Sequence, residues 1–309
     1  RAAGLCPVRP NAIGQAEAIP TFARKYKTSC TTCHAPVPIK LNNFGEAFKN
    51  SAFRMPSNDA GMTKIEMQEL GAEAWKENWK KDIYPGVLPT ELPISFQLYL
   101  DGRFDANDDA KGTRKARSGY WDVPHEFEMI TAGTLGEHMS FWANVEFKVK
   151  TPQTVGTSGD KAIKETPVDF VQAYGQLDHL LDTSLLNVRV GRFEPRAVPF
   201  SRVSRRFIAE DFLTSGHSLK NGFNFKTMQG GAELWGAKSV ARTGGGLAYA
   251  VGLLNGDGDS NGDNNRTQDV YGRLSYKFGG IGVADALQPS ETLNASQNWV
   301  DNSVRLGVY

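Results

Sequence analysis

Alternation of apolar and polar side chains begins near Ile94 and constrains the fold of this chain more than any other feature. The clearest run is 139–150. There Phe141, Ala143, Val145, Phe147 and Val149 alternate with Trp142, Asn144, Glu146, Lys148 and Lys150. Successive side chains of a strand point to opposite faces, so this run has one apolar face and one largely charged face. Similar alternation occupies 94–104, 125–134, 168–178, 185–193, 229–239, 246–254, 268–278 and 299–309. The pattern predicts nine strands, each close to the ~10 residues that a tilted strand needs to cross a bilayer.

A soluble sandwich also alternates, and the connections separate the two folds. They run long and charged at 105–117, short near 135–138, long at 151–167 and short at 179–184. A very long one at 194–228, a short one at 240–245 and a long one at 255–267 follow. Membrane barrels alternate in this way, with long loops outside and tight turns on the periplasmic side. No stretch reaches the ~18 consecutive apolar residues of a membrane helix, which excludes a helical membrane protein but not a barrel. The expected fold is therefore mainly β with a small α-helical N-terminal part. A porin-like antiparallel transmembrane β-barrel fills 91–309. Two features break the pattern. The stretch 279–298 is long where a short turn is expected, and the strand count is odd where single-chain bacterial barrels are even. A strand hidden in 279–298, or a chain continuing past Tyr309, would mend the count. The expectation is an incomplete chain.

Ahead of the strands, Cys30-Thr31-Thr32-Cys33-His34 carries the chemistry. Two thiols three positions apart on one turn reach the two vinyl groups of a porphyrin, and the adjacent histidine then lies beneath the iron. A zinc site would need a second ligand pair, and a thioredoxin-like pair would need a βαβ context; the sequence has neither. The motif occurs once, so the expected cofactor is one covalent haem c, in a mono-haem domain over 19–90 after an N-terminal tail at 1–18. For the sixth iron ligand the candidates are Met55, Met62 and Met67. Met55 is preferred, because Pro56 holds its backbone extended. An open or His-ligated iron is the alternative. Leu41, Phe44, Phe48 and Phe53 recur at near-helical spacing, as a haem wall or as plain core. Thr63 and Glu66 form a capping-box pattern that predicts a helix running to about Lys81, with Trp75 and Trp79 on one side.

Two further constellations stand out. The loop Asp257-Gly258-Asp259-Ser260-Asn261-Gly262-Asp263 places Asp257, Asp259, Asn261 and Asp263 at calcium-loop spacing. Its twelfth position is Gln268 rather than Glu, and a solvated hairpin loop uses the same residue types. Arg192, Arg196, Arg202, Arg205 and Arg206 cluster after the fifth strand, either lining an anion path or neutralising haem propionates, or as a solvated basic loop. A formal net charge of +1 implies no nucleic-acid partner. Of three cysteines only Cys6 lies outside the motif, so no disulfide framework exists. Haem attachment at paired cysteines takes place outside the bacterial cytoplasm, which implies export. No catalytic triad, phosphate loop or zinc signature is present, so an ordinary enzyme is not indicated.

The chain resembles the single-haem cytochrome–porin fusions, of which the iron-oxidising outer-membrane cytochromes are best known. Ile19-Pro20-Thr21-Phe22-Ala23-Arg24, the Cys30–His34 motif and Leu41-Asn42-Asn43-Phe44-Gly45-Glu46-Ala47-Phe48 carry that resemblance. Val190-Gly191-Arg192-Phe193 and Leu254-Asn255-Gly256-Asp257-Gly258 are porin-like phrases. The resemblance implies a bacterial outer-membrane protein in contact with lipid, its haem domain at the periplasmic mouth or inside the barrel. Electrons would pass between an extracellular donor such as Fe(II) and a periplasmic carrier, itself another cytochrome. At most the chain would be an Fe(II) oxidase. The alternatives are a porin with a structural haem, or a subunit of a larger electron-transfer complex or oligomer. The long 61–90 segment and the short barrel depart from the family pattern.

Overall fold

The computed structural model describes residues 20–34, 41–55, 59–65, 67–69, 87–89, 93–105, 118–148, 153–154, 161–162, 168–196, 228–240, 244–256, 267–284 and 302–308. Its main body is one antiparallel sheet of nine strands. These are β1 (Ile94–Asp105), β2 (Ser118–Leu135), β3 (Met139–Lys148), β4 (Val168–Leu177) and β5 (Asn187–Phe193), then β6 (Gln229–Ser239), β7 (Gly245–Leu254), β8 (Asp269–Gly279) and β9 (Ser303–Val308). Each pairs only with its neighbours along the chain, so the sheet is a simple meander with β1 and β9 as its edges. No pairing joins those edges among the described residues. All nine predicted strands are present. β8 pairs directly with β9, from Gly279 opposite Ser303 to Leu274 opposite Val308, so the two are neighbours in the sheet; of the stretch 279–298, residues 285–298 lie outside the described residues.

The largest boundary difference is in β2, which begins at Ser118 rather than 125. Pro124 interrupts the sequence pattern, and proline is tolerated in a strand where the ladder is already broken. The β1–β2 register shifts at that level, between Tyr99 and Asp101, and Pro124 sits opposite the irregularity.

The two faces of the sheet have opposite character. Phe96, Leu98, Val168, Phe170, Val190, Val251, Leu253, Val270, Leu274, Phe278, Val304, Leu306 and Val308 lie on one face, and each is exposed, Phe96 at 64% and Val270 at 70%. Glu128, Asn144, Glu146, Gln172, Gln176, Arg189, Glu233 and Lys277 lie on the other and are buried. The registers place Glu128 opposite Glu146, Gln176 opposite Arg189, and Arg189 opposite Glu233, all on that covered face. Burying charge while exposing hydrocarbon inverts the arrangement of a water-soluble sheet. Soluble monomers seldom expose contiguous apolar patches beyond a few hundred Å². Hydrogen bonds serve the covered groups: Gln176 donates to Ser140 at 2.8 Å, and Asn187 donates to the Ser184 and Trp235 carbonyls at 3.0 and 3.2 Å.

The N-terminal part is helical and packs on the covered face. It comprises α1 (Pro20–Tyr26), a 3-10 turn (Cys30–Thr32), α2 (Asn43–Asn50) and α3 (Asp59–Met62). Tyr26, Phe44, Ala47, Phe48, Phe53 and Met55 form its core, with Phe22, Cys33, Trp142 and Ile281 against them. Phe44 and Phe48 stand one turn apart on α2, so both point the same way. Trp142 of β3 stacks on Phe53 with ring centroids 5.7 Å apart. The polar anchors gather where the short connections lie. Arg24 donates to the Ile94 carbonyl at 3.2 Å and Lys25 to Thr134 at 3.2 Å. Arg54 donates to the Gly136 and Met139 carbonyls at 3.0 and 2.7 Å. Asn50 donates to the Val283 carbonyl at 3.1 Å.

One expectation is corrected. Thr63 does not open a helix. Its backbone N–H and hydroxyl both donate to the Asp59 carbonyl, at 2.9 and 2.8 Å, which closes the single turn of α3. Residues 67–69 form a strand that pairs antiparallel with 87–89. The hydroxyl that was to cap a new helix is used on the preceding one. Trp75 and Trp79 lie outside the described residues.

Candidate cofactor site

The Cys30–His34 segment is a tight turn closed by its own backbone. The Cys30 carbonyl accepts from both Cys33 and His34 N–H, at 3.2 and 3.0 Å. Ser29 caps the turn, its hydroxyl accepting from Thr31 N–H at 3.2 Å. The two thiols and the imidazole are thereby held on one short stretch. Both cysteines are free and half-buried. Burial pushes the Cys33 thiol up to about 12, with Cys30 adding to the effect. A thiol–disulfide exchange pair needs a thiol lowered below its ordinary value, so this environment is opposite to that of a redox pair.

Two residues fasten the turn to α2. Asn42 is buried and uses its side chain in both directions. Its amide donates to the Thr31 and Thr32 carbonyls at 3.2 and 2.9 Å, and its carbonyl oxygen accepts from Gly45 N–H at 2.9 Å. It is at once the N-cap of α2 and the clamp on the motif. Its backbone N–H also donates to the Cys33 carbonyl at 2.9 Å. Gly45 is required for the close approach: a Cβ there would collide with the Cys33 carbonyl oxygen. Gly45→Ala should therefore spread the turn from α2 and cost about 1–3 kcal/mol, as overpacking does. The check is a denaturant titration; an unchanged midpoint would show that the contact relaxes without consequence.

Met55 is buried among Tyr26, Phe44, Phe48 and Phe53, the cluster that Cys33 touches. Its N–H donates to Asp59 at 2.8 Å, and Asp59 also takes the Tyr26 hydroxyl and a salt bridge from Lys25 at 2.9 Å. Met62 ends α3 and Met67 opens the short pairing with 87–89. The calcium-loop residues Asp257, Asp259, Asn261 and Asp263 lie outside the described residues, as do Cys6, Arg202, Arg205 and Arg206. Of the arginine cluster, Arg192 donates to the Val171 carbonyl at 3.3 Å. Arg196 turns onto the covered face. There Glu233 receives Arg189 at 2.8 Å and Arg196 at 3.3 Å, and accepts from the Tyr271 hydroxyl. Arg196 reaches α2 by donating to Asn50 at 3.0 Å.

The sequence did not single out Arg54, Asp59, Glu233 or the clamp role of Asn42. The Asn-x-x-Gly spacing was the available signal for the last, since it fits an N-cap followed by a close-contact position. No protein-family model matches the chain, and neither a curated protein nor a solved structure matches it.

Proposed function

We propose that this chain is an outer-membrane cytochrome–porin. One haem is attached at Cys30 and Cys33, with His34 as proximal ligand. It is held at the short-turn mouth of a membrane β-barrel and relays electrons between an extracellular donor, Fe(II) being the leading candidate, and a periplasmic carrier. The observation that carries the membrane half is the inverted sheet: an apolar exposed face against a charged covered face. Lipid satisfies the first, and a polar lumen holding the N-terminal part satisfies the second. A sheet in hydrocarbon cannot keep an open edge, since each unsatisfied backbone group costs several kcal/mol. The meander therefore closes in the membrane, by pairing of its edges or by further strands.

The donor set supports the haem half: two free thiols on one turn with a histidine directly after them. Bound there, the haem supplies a one-electron iron couple. The chain's own residues do the rest. Asn42 and Gly45 hold the attachment turn against α2. The aromatic core around Met55 excludes water and makes the Met55 thioether a buried soft ligand candidate beside the motif. Arg24, Lys25 and Arg54 fasten the segment to the ends of the short connections, which fixes the depth of the haem in the barrel. That placement suits exchange with a periplasmic partner.

Covalent attachment is tested on denaturing gels. The unfolded polypeptide should keep its haem stain, and Cys30→Ala with Cys33→Ala should abolish it. His34→Ala should keep the stain but lose the low-spin spectrum, because the proximal nitrogen is gone. Loss of stain from the unaltered chain after acid–acetone extraction would remove the proposal's cofactor.

A further inference from the structure

We propose that the covered face carries a binding cleft for phosphate-class oxyanions, formed by Lys49, Arg196, Arg273 and Arg305. The cleft lies between α2 and the β6–β9 part of the sheet, and its other charged lining residues among those described are Glu46 and Glu194. Among the described residues four cations thus share two lining carboxylates, with Glu233 beneath Arg196 as a third. Arg196 gains little neutralisation from below, because the Glu233 carboxylate it meets at 3.3 Å is already held by Arg189 at 2.8 Å. One carboxylate serving two guanidinium groups leaves positive charge over. Like charges gathered out of bulk water raise one another's energy, and an anion among them removes that cost.

The geometry favours a multi-oxygen anion over a single-atom one. Arg196 lies over the Trp235 ring at 3.8 Å and donates to Asn50 at 3.0 Å, so its plane is fixed before any ligand arrives. A fixed guanidinium fork matches two oxygens at once. The floor is made of Ala248 and Ala250, placed opposite Ser275 and Arg273 in the β7–β8 register. Arg273 donates there to the Ser275 hydroxyl at 3.0 Å, with only small side chains on the neighbouring strand. Burial pushes the Lys49 ammonium down, against the pull of Glu46 and Glu194, and a bound oxyanion would hold it charged.

Two sources offer this chemistry. One is free phosphate entering the lumen. The other is the carboxylates of the chain's own haem, since Lys49 stands one turn beyond Gly45, where α2 meets Cys33; that source alone rests on the function proposed above. The test uses the full haem-loaded chain in detergent, titrated calorimetrically with inorganic phosphate, beside Arg273→Gln/Arg305→Gln. The expected result is binding by the unaltered chain and a loss of about tenfold or more in the double variant, the scale of a lost charge-assisted contact. If phosphate does not bind but the double variant lowers the haem midpoint potential, the cleft is filled by the haem carboxylates and the site stands. Equal phosphate binding by both proteins, or no binding and no change in potential, overturns the site. Arg305→Gln alone, at a half-exposed position, serves if the double variant does not fold. Absence of covalent haem would defeat the haem assignment while leaving the phosphate titration decisive.

Discussion

Leu274→Arg should weaken insertion of this protein into lipid vesicles by about 30-fold or more, whereas Glu137→Arg should leave insertion unchanged. Leu274 is 50% exposed in the middle of β8, between Tyr249 on one neighbour and Val308 on the other. An arginine on the lipid face near the bilayer midplane costs about 2–4 kcal/mol. That is a large part of the 5–15 kcal/mol that ordinarily holds a folded protein together. Glu137 sits in the exposed turn between β2 and β3, where a charge remains in water. Vesicle flotation, with resistance of the folded band to unheated denaturing detergent, measures the difference. A Leu274→Arg protein that is folded and monomeric without detergent would mean that the apolar face meets water, and the membrane reading would fall.

Local periodicity made the strands legible. A period of two survives any tertiary context that keeps one face apolar, and here nine segments keep it. The short connections also made the β2–β3, β4–β5 and β6–β7 pairings legible, whereas the neighbours joined by long loops are known only from the structure. The sequence did not reveal where β2 begins, since Pro124 disguises a strand whose register slips at that level. The predicted helix after Thr63 failed for a related reason. A capping box is a statement about one hydroxyl, and that hydroxyl already serves the Asp59 carbonyl.

The candidate site was half legible. Cys30, Cys33 and His34 announce themselves because their chemistry fixes their spacing. Asn42, Arg54 and Glu233 do not, because their roles depend on partners far along the chain. Glu233 is an ordinary polar position in an alternating strand until β5 and β8 bring Arg189 and Tyr271 to it. Arg54 follows two residues with left-handed backbone, Ala52 and Phe53, that turn the chain sharply after α2. Nothing at those positions in the sequence shows that the turn aims a guanidinium at the sheet.

Arg54→Leu should free the N-terminal helical segment from the sheet without unfolding the sheet itself. The Arg54 side chain is 7% exposed and meets the fully buried Asp178 side chain at 2.6 Å. Removing one partner of a buried pair costs about 3–5 kcal/mol, because the other charge stays behind uncompensated. Here the Gly136 and Met139 carbonyls lose their donor as well. Limited proteolysis in detergent should release an N-terminal fragment at denaturant concentrations where the unaltered chain resists. A double-mutant cycle with Asp178→Leu separates the pair from its surroundings, since the doubly apolar protein should recover part of the loss. The deficit should also depend on pH. Burial holds the Asp178 carboxyl above the ordinary aspartate value even against the opposing pull of Arg54. Without Arg54 the carboxyl moves higher still. The folded state of the variant then binds a proton that the unfolded chain releases, so its stability falls as pH rises through that range and is regained on acidification. The deficit relative to the unaltered chain should therefore shrink on acidification, as the pH falls through the raised Asp178 value of the variant. A deficit independent of pH, with additive single effects, would show that Arg54 anchors the segment through the two carbonyls alone.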